Sequence, residues 1–108
     1  MIINGKYIIS RKEKNDISVV NEGFLQVDGI LNGDIAVNDN GELLIHGIVN
    51  GDIYINGSSK VTVTGIVNGK IINKSKLKVT GIIKEKILDV DGGESIIEKN
   101  SIVDGIRY

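Results

Sequence analysis

A chain of 108 residues, 41% hydrophobic and with a net charge of −1, has the length of one domain and enough apolar material for one core. It holds no Cys and no Pro, which excludes a disulfide framework, a thiolate nucleophile and a Cys-based zinc site. Its near-neutral charge argues against nucleic acid as a partner, and the prevalence of Ile, Val and Leu suits pleated strands.

Residues 1–24 read as an atypical opening turn. The start, "MIINGKYIISRKEKND", lacks the apolar run and small-residue cleavage site of a signal peptide, and no stretch approaches membrane-spanning length. The expectation is a soluble cytoplasmic protein with no transmembrane segment. Ile9, Ile17 and Val19 carry a faint trace of the register that becomes plain from Leu25 onward.

Between residues 25 and 88 the chain repeats itself. "GILNGDIAV" at 29–37 returns as "GIVNGDIYI" at 47–55 and as "GIVNGKIIN" at 65–73. The period is 18 residues through Gly29, Gly47 and Gly65, and again through Ile17, Ile35, Ile53 and Ile71. Val79 follows Val63 by only 16, so one unit has lost two residues. Such repetition signals stacked units, each burying its apolar face on the next.

Within a unit the apolar residues alternate. Leu25, Val27, Leu31, Ile35 and Val37 occupy odd positions, and Gln26, Asp28, Asn32, Asp34 and Asn38 occupy even ones. Alternation predicts strands with the odd set inward. Glycines four apart, as at Gly47 and Gly51, would each cost a helix interior about 1 kcal/mol against Ala. The inward glycines are expected at corners, where a Cβ would crowd the lumen and where φ > 0 is tolerated. The predicted fold is all-β: one domain over 1–108, a triangular parallel β-solenoid of roughly six turns stacked about 4.8 Å apart.

The phrases "VDGILNGDI", "IHGIVNGDI" and "VTGIVNGKI" resemble the repeat of the bactofilin family. The resemblance covers roughly residues 9–88 and is best over 25–72. It implies a right-handed β-helix that stacks end to end into nucleotide-free cytoskeletal filaments. In that family the residue after the first glycine is commonly polar, whereas here it is Ile30, Ile48, Ile66 and Ile82. A spacing of six through Leu25, Leu31, Val37, Leu43, Val49 and Ile55 is also similar to the left-handed hexapeptide helix of acyltransferases. Spacing alone fits either hand.

Four constellations invite a functional reading. His46, the sole histidine, lies one turn from Asp28 and one from Thr64, the residue types of a triad. An open ladder supplies no oxyanion hole, so a surface His paired with Asp28 is the better reading, and no enzyme is expected. Asp16, Asp34 and Asp52 stack in a row that Lys70 and Lys86 continue. Two converging carboxylates, Asp34 and Asp52, make a poor calcium site; solvated charge with Asp52 attracting Lys70 is the better reading, and no metal or cofactor is expected. Asn32, Asn50 and Asn68 form a structural amide ladder. The fourth is apolar. Ile30, Ile48, Ile66 and Ile82 point outward, joined on an adjacent side by Ala36, Tyr54, Ile72 and Leu88, and a contiguous stripe of this kind marks a protein-contact surface.

Residues 89–108 read as an atypical closing turn. Charge is sorted along the chain: four basic residues against Glu13 in 1–14, seven acids and no Lys or Arg in 15–59, seven Lys against Glu85 in 60–86, then five acids against Lys99 and Arg107. In a solenoid this order becomes height, giving a basic first end and an acidic last end. A non-catalytic scaffold that polymerises head to tail is the first functional expectation. The alternative is a monomeric inhibitor or immunity protein that neutralises a toxin partner through the apolar stripe.

Overall fold

The computed structural model describes all residues from Met1 to Tyr108 and contains strands, turns and no helix. Its first turn is β1 (Ile2–Ile3), β2 (Lys6–Ile9) and β3 (Lys12–Lys14), and its second is β4 (Ile17–Val19), β5 (Phe24–Val27) and β6 (Ile30–Asn32). The third is β7 (Ile35–Val37), β8 (Glu42–Ile45) and β9 (Ile48–Asn50). The fourth is β10 (Ile53–Ile55), β11 (Lys60–Val63) and β12 (Ile66–Val67). Then come β13 (Ile71–Asn73), β14 (Lys76–Val79) and β15 (Ile82–Ile83), followed by β16 (Ile87–Asp89), β17 (Glu94–Ile97) and β18 (Ile102–Val103). A short last strand, β19 (Ile106–Arg107), ends the chain.

Every third strand joins the same sheet, so the chain coils through three walls. One wall runs β1-β4-β7-β10-β13-β16, the second β2-β5-β8-β11-β14-β17, and the third β3-β6-β9-β12-β15-β18-β19. All pairings between turns are parallel; only β19 turns back, antiparallel to β18. This is the predicted solenoid. Ile53 pairs with Ile35 and Ile71, and Val63 pairs with Ile45 one way and with Val79 the other, which reproduces the 18-residue step and the 16-residue one.

The odd residues form the core. Leu25, Leu31, Ile35, Leu43, Ile45, Ile53, Ile55 and Ile71 are fully buried, in one cluster that reaches from Ile3 to Val103. Like stacks on like, so each new turn buries the apolar face of the last, and the gain grows with each turn.

The glycines work differently from expectation. A Cβ on Gly47 would sit 2.0 Å from the Gly29 carbonyl oxygen and 2.6 Å from that of Asp28, and one on Gly65 would sit 2.1 Å from that of Gly47. The obstacle is the backbone of the turn below, not a crowded lumen, and neither glycine has a positive φ. Arg11 holds the equivalent place in the first turn, where nothing lies beneath to collide with.

In the repeating turns left-handed φ belongs instead to the corner that leads from the first wall to the second; the closing segment adds others, at Asn100, Asp104 and Gly105. Asn21 and Glu22 lie at φ 50° and 62°, and Asp39 and Asn40 at 51° and 62°. Two left-handed residues in succession make a type I′ turn, closed by Gly23 N–H donating to the Val20 carbonyl and by Gly41 N–H donating to that of Asn38, both at 2.9 Å. Asn and Asp tolerate this region because their side chains bond locally.

The shortened unit owes its shape to Asn73. Ile55 pairs with Asn73 at a step of 18, yet Lys60 pairs with Lys76 at a step of 16, so the two residues are lost at the corner after Asn73. Asn73 stands in the inward column of Val19, Val37 and Ile55 and is fully buried. Its Oδ1 accepts the Ser75 N–H at 2.9 Å and closes the clipped corner. Its Nδ2 donates to Asp89 at 3.0 Å and to the Glu94 carbonyl at 2.9 Å. A polar residue in an aliphatic column is tolerated because its amide is bonded on both sides.

Candidate interaction surfaces

The "NGD" phrase resolves into three ladders. Asn50 Nδ2 donates to Asn32 Oδ1 at 2.7 Å and Asn68 Nδ2 to Asn50 Oδ1 at 2.6 Å. The following glycines permit close backbone approach. Each aspartate then caps the turn above: Asp16 Oδ1 accepts the Asp34 N–H at 2.9 Å, Asp34 Oδ1 the Asp52 N–H at 2.8 Å, and Asp52 Oδ1 the Lys70 N–H at 3.0 Å. The row was expected to be solvated charge, with Asp52 attracting the Lys70 ammonium. Its carboxylates instead satisfy backbone donors at a corner where the sheet ladder is interrupted. A second amide rung, Asn56 Nδ2 to Asn38 Oδ1 at 2.6 Å, was not foreseen; the repeat of Asn at 18 residues was its signal.

His46 lies beside Asp28, with Nδ1 3.0 Å from Oδ1, and both are exposed. The Thr64 hydroxyl donates to the Ile45 carbonyl at 3.1 Å, so Asp, His and hydroxyl do not form one relay. The Asp28 carboxyl is held below the usual carboxylate range, first by the Gln26 amide, which donates to both its oxygens, and then by His46. A depressed folded pKa contributes stability above the unfolded value, and that contribution disappears as pH falls through the folded one. Melting curves across acid pH should show Asp28→Asn slightly less stable than wild type near neutrality. The gap should close in strong acid; a gap that persists there would contradict the assignment.

The apolar stripe is a real register. Ile30, Ile48, Ile66 and Ile82 pair in succession on the outer face of the third wall, and the structure adds Ile102 to them. Each is half-buried. Ala36, Tyr54, Ile72 and Leu88 form the parallel row on the first wall. The final strand does not cover the Ile row: β19 extends the edge of the third wall rather than lying over its face. Ile102 escaped the sequence reading because its step from Ile82 is 20 residues.

Apart from Leu88, the most exposed apolar side chains lie outside these two rows. Met1, Ile2, Tyr7 and Ile8 belong to the first turn, and Leu88, Val90, Ile96, Ile106 and Tyr108 to the last, with Ile2 75% exposed and Ile96 62%. No other large hydrophobic residue is exposed, so the concentration at the two ends is complete. At the first end β1, β2 and β3 each have a partner on one side only. At the last end β16 and β17 are likewise free on one side, and β18 is closed by β19.

The side chains at the two ends also differ in chemistry. Tyr7 and Glu13 stand in the inward columns below Leu25 and Leu31, and the Tyr7 hydroxyl donates to Glu13 Oε1 at 2.8 Å across the first end. That carboxylate, by hydrogen bond and by charge, holds the Tyr7 phenol above its usual pKa. Lys6, Arg11, Lys12 and Lys14 belong to the same first turn, whereas Asp89, Asp91, Glu94, Glu98 and Asp104 lie in the last turn. A recess of about 320 Å³ is an open hollow on the second wall lined by Lys60, Lys76, Lys78, Glu94 and Ile96 among others.

Comparison with family models, with curated proteins and with solved structures returns no match to this chain. No helix is present that could cross a membrane.

Proposed function

We propose that this chain is a non-catalytic, bactofilin-like scaffold of the cytoplasm that assembles end to end. The observation that carries the reading is the coincidence, at both ends, of unpaired strand edges with all the exposed large apolar side chains. An unpaired edge is a template for another strand, and burying Ile2, Ile8, Ile96 and Leu88 against a second copy would add hydrophobic gain to the backbone bonds. The basic first turn and acidic last turn favour head-to-tail contact, a heterologous geometry that propagates. Light scattering at low salt should show growth with concentration, and added salt should reverse part of it, because exposed charges are screened beyond about 8 Å at physiological ionic strength. Reversing charge with Lys12→Glu and Lys14→Glu should weaken growth further. A scattering mass that stays at one chain under all these conditions would contradict the reading.

A second reading, in which the chain is a monomeric inhibitor or immunity protein, is favoured by the uncovered Ile row. Five isoleucines in register beside an amide ladder offer a partner an apolar strip with a polar border. Ile48→Lys with Ile66→Lys should leave the melting temperature nearly unchanged, since neither side chain enters the core. In a filament it should abolish only lateral bundling; in an inhibitor it should abolish capture of the partner from the source cell.

A further inference from the structure

Six asparagines in this chain precede glycine: Asn4, Asn32, Asn40, Asn50, Asn56 and Asn68. The fold demands most of these pairs, since the ladder needs the amide and the turn below excludes a Cβ. The pairing carries a chemical hazard. The glycine nitrogen, having lost its proton, attacks the side-chain amide carbon; a new C–N bond forms and the old one breaks, releasing ammonia. Water then opens the cyclic imide at either of its two carbonyls, giving aspartate or its β-linked isomer. The reaction needs an amide carbon free to swing onto the next backbone nitrogen, and a nitrogen free of other bonds.

Five of the six pairs are restrained. Asn32, Asn50 and Asn68 are tied to one another through their amides, and Asn56 to Asn38. Asn40 lies in a type I′ turn whose Gly41 N–H already donates to the Asn38 carbonyl. Asn4 differs on every count. It sits on an exposed bend between β1 and β2, its side chain takes no part in the ladders, and the Gly5 N–H has no turn beneath to accept it. Around Gly5 a Cβ would meet nothing within 4 Å, and the bend is held to the turn above only through the Ile3 and Gly5 carbonyls, which leaves the Gly5 nitrogen and the Asn4 side chain unbonded.

We propose that Asn4 is a site of spontaneous covalent conversion to a carboxylate, while amide ladders and turn bonds keep the internal Asn–Gly pairs intact. The product places a negative charge in the turn that carries Lys6, Arg11, Lys12 and Lys14. The β-linked isomer also lengthens the backbone between the two edge strands of that end.

The test is ageing of the folded full chain in mildly alkaline buffer, followed by digestion after lysine and peptide mass spectrometry. Asn4 then falls in peptide 1–6 and Asn68 in 61–70, and fragmentation sorts the four Asn–Gly pairs within 15–60. Acid should appear at Asn4 on the order of tenfold faster than at Asn32, Asn50 or Asn68, because a frayed end opens almost freely whereas an internal rung requires local unfolding. In denaturing urea the six rates should converge, and Asn4→Gln should abolish conversion in peptide 1–6 alone. Ladder positions converting as fast as Asn4 in the folded chain would overturn the proposal, as would an Asn4 that converts only in urea.

Discussion

Gly47→Val is expected to destabilise the fold by about 3 kcal/mol or more, because it forces a branched side chain against backbone that cannot rotate away. The first new atom alone would lie 2.0 Å from the Gly29 carbonyl oxygen, and that oxygen also accepts the Ile48 N–H at 2.9 Å. Relieving the contact means parting two turns, which breaks sheet bonds on the third wall. His46→Ala, next door, removes only an exposed side chain and should change the melting temperature little. Gly57→Ala is a sharper control: its Cβ would meet nothing within 4 Å and its φ is not positive, so the loss of freedom in the unfolded chain should leave stability unchanged or slightly higher. Urea unfolding of the three variants checks the ordering. Equal stability of Gly47→Val and His46→Ala would contradict the stacking register.

Asn73→Val is expected to cost about 2–4 kcal/mol even though it restores an aliphatic residue to an aliphatic column. Volume and hydrophobicity both favour the substitution, so a core-packing view predicts a gain. The hydrogen bonds predict the opposite. Without Oδ1 the Ser75 N–H loses its acceptor in the clipped corner, and without Nδ2 the Asp89 carboxylate and the Glu94 carbonyl lose a donor. Ile55→Val, one turn below in the same column, should cost only about 1 kcal/mol. If Asn73→Val matched or exceeded wild type in denaturant midpoint, the side chain would have no part in closing the short turn.

The middle of the molecule was legible in the sequence because one rule governs it. In a parallel stack, inward and outward positions alternate and each column repeats its residue type, so Ile17, Ile35, Ile53 and Ile71 announce both the strand face and the pairing partners. What the glycines avoid was not legible, since a carbonyl one turn away is distant in sequence and invisible to a periodicity count. The aspartate row was misread for a related reason. Its spacing suggests charges facing charges, but Oδ1 of each residue reaches the next turn's backbone N–H.

The ends were least legible. Ile8 and Ile96 occupy the outward column that holds Gln26, Leu44, Thr62 and Lys78 in the middle turns, so the change of character was present in the letters. Its meaning depends on knowing which strands lack a neighbour, and that is a property of the finished coil. The antiparallel return of β19 onto β18 gave no warning either, because the sequence after Val103 no longer follows the repeat. It gives the third wall an antiparallel edge at the last end, where every other wall ends in a strand of the parallel stack, so the two ends differ.

Assembly through the ends is the central functional claim, and electron microscopy of the purified chain in negative stain, at low ionic strength and over a range of concentrations, tests it most directly. The expected result is unbranched rods one molecule wide that lengthen with concentration and shorten when salt is added. Isolated particles of single-chain size at every concentration would contradict end-to-end assembly.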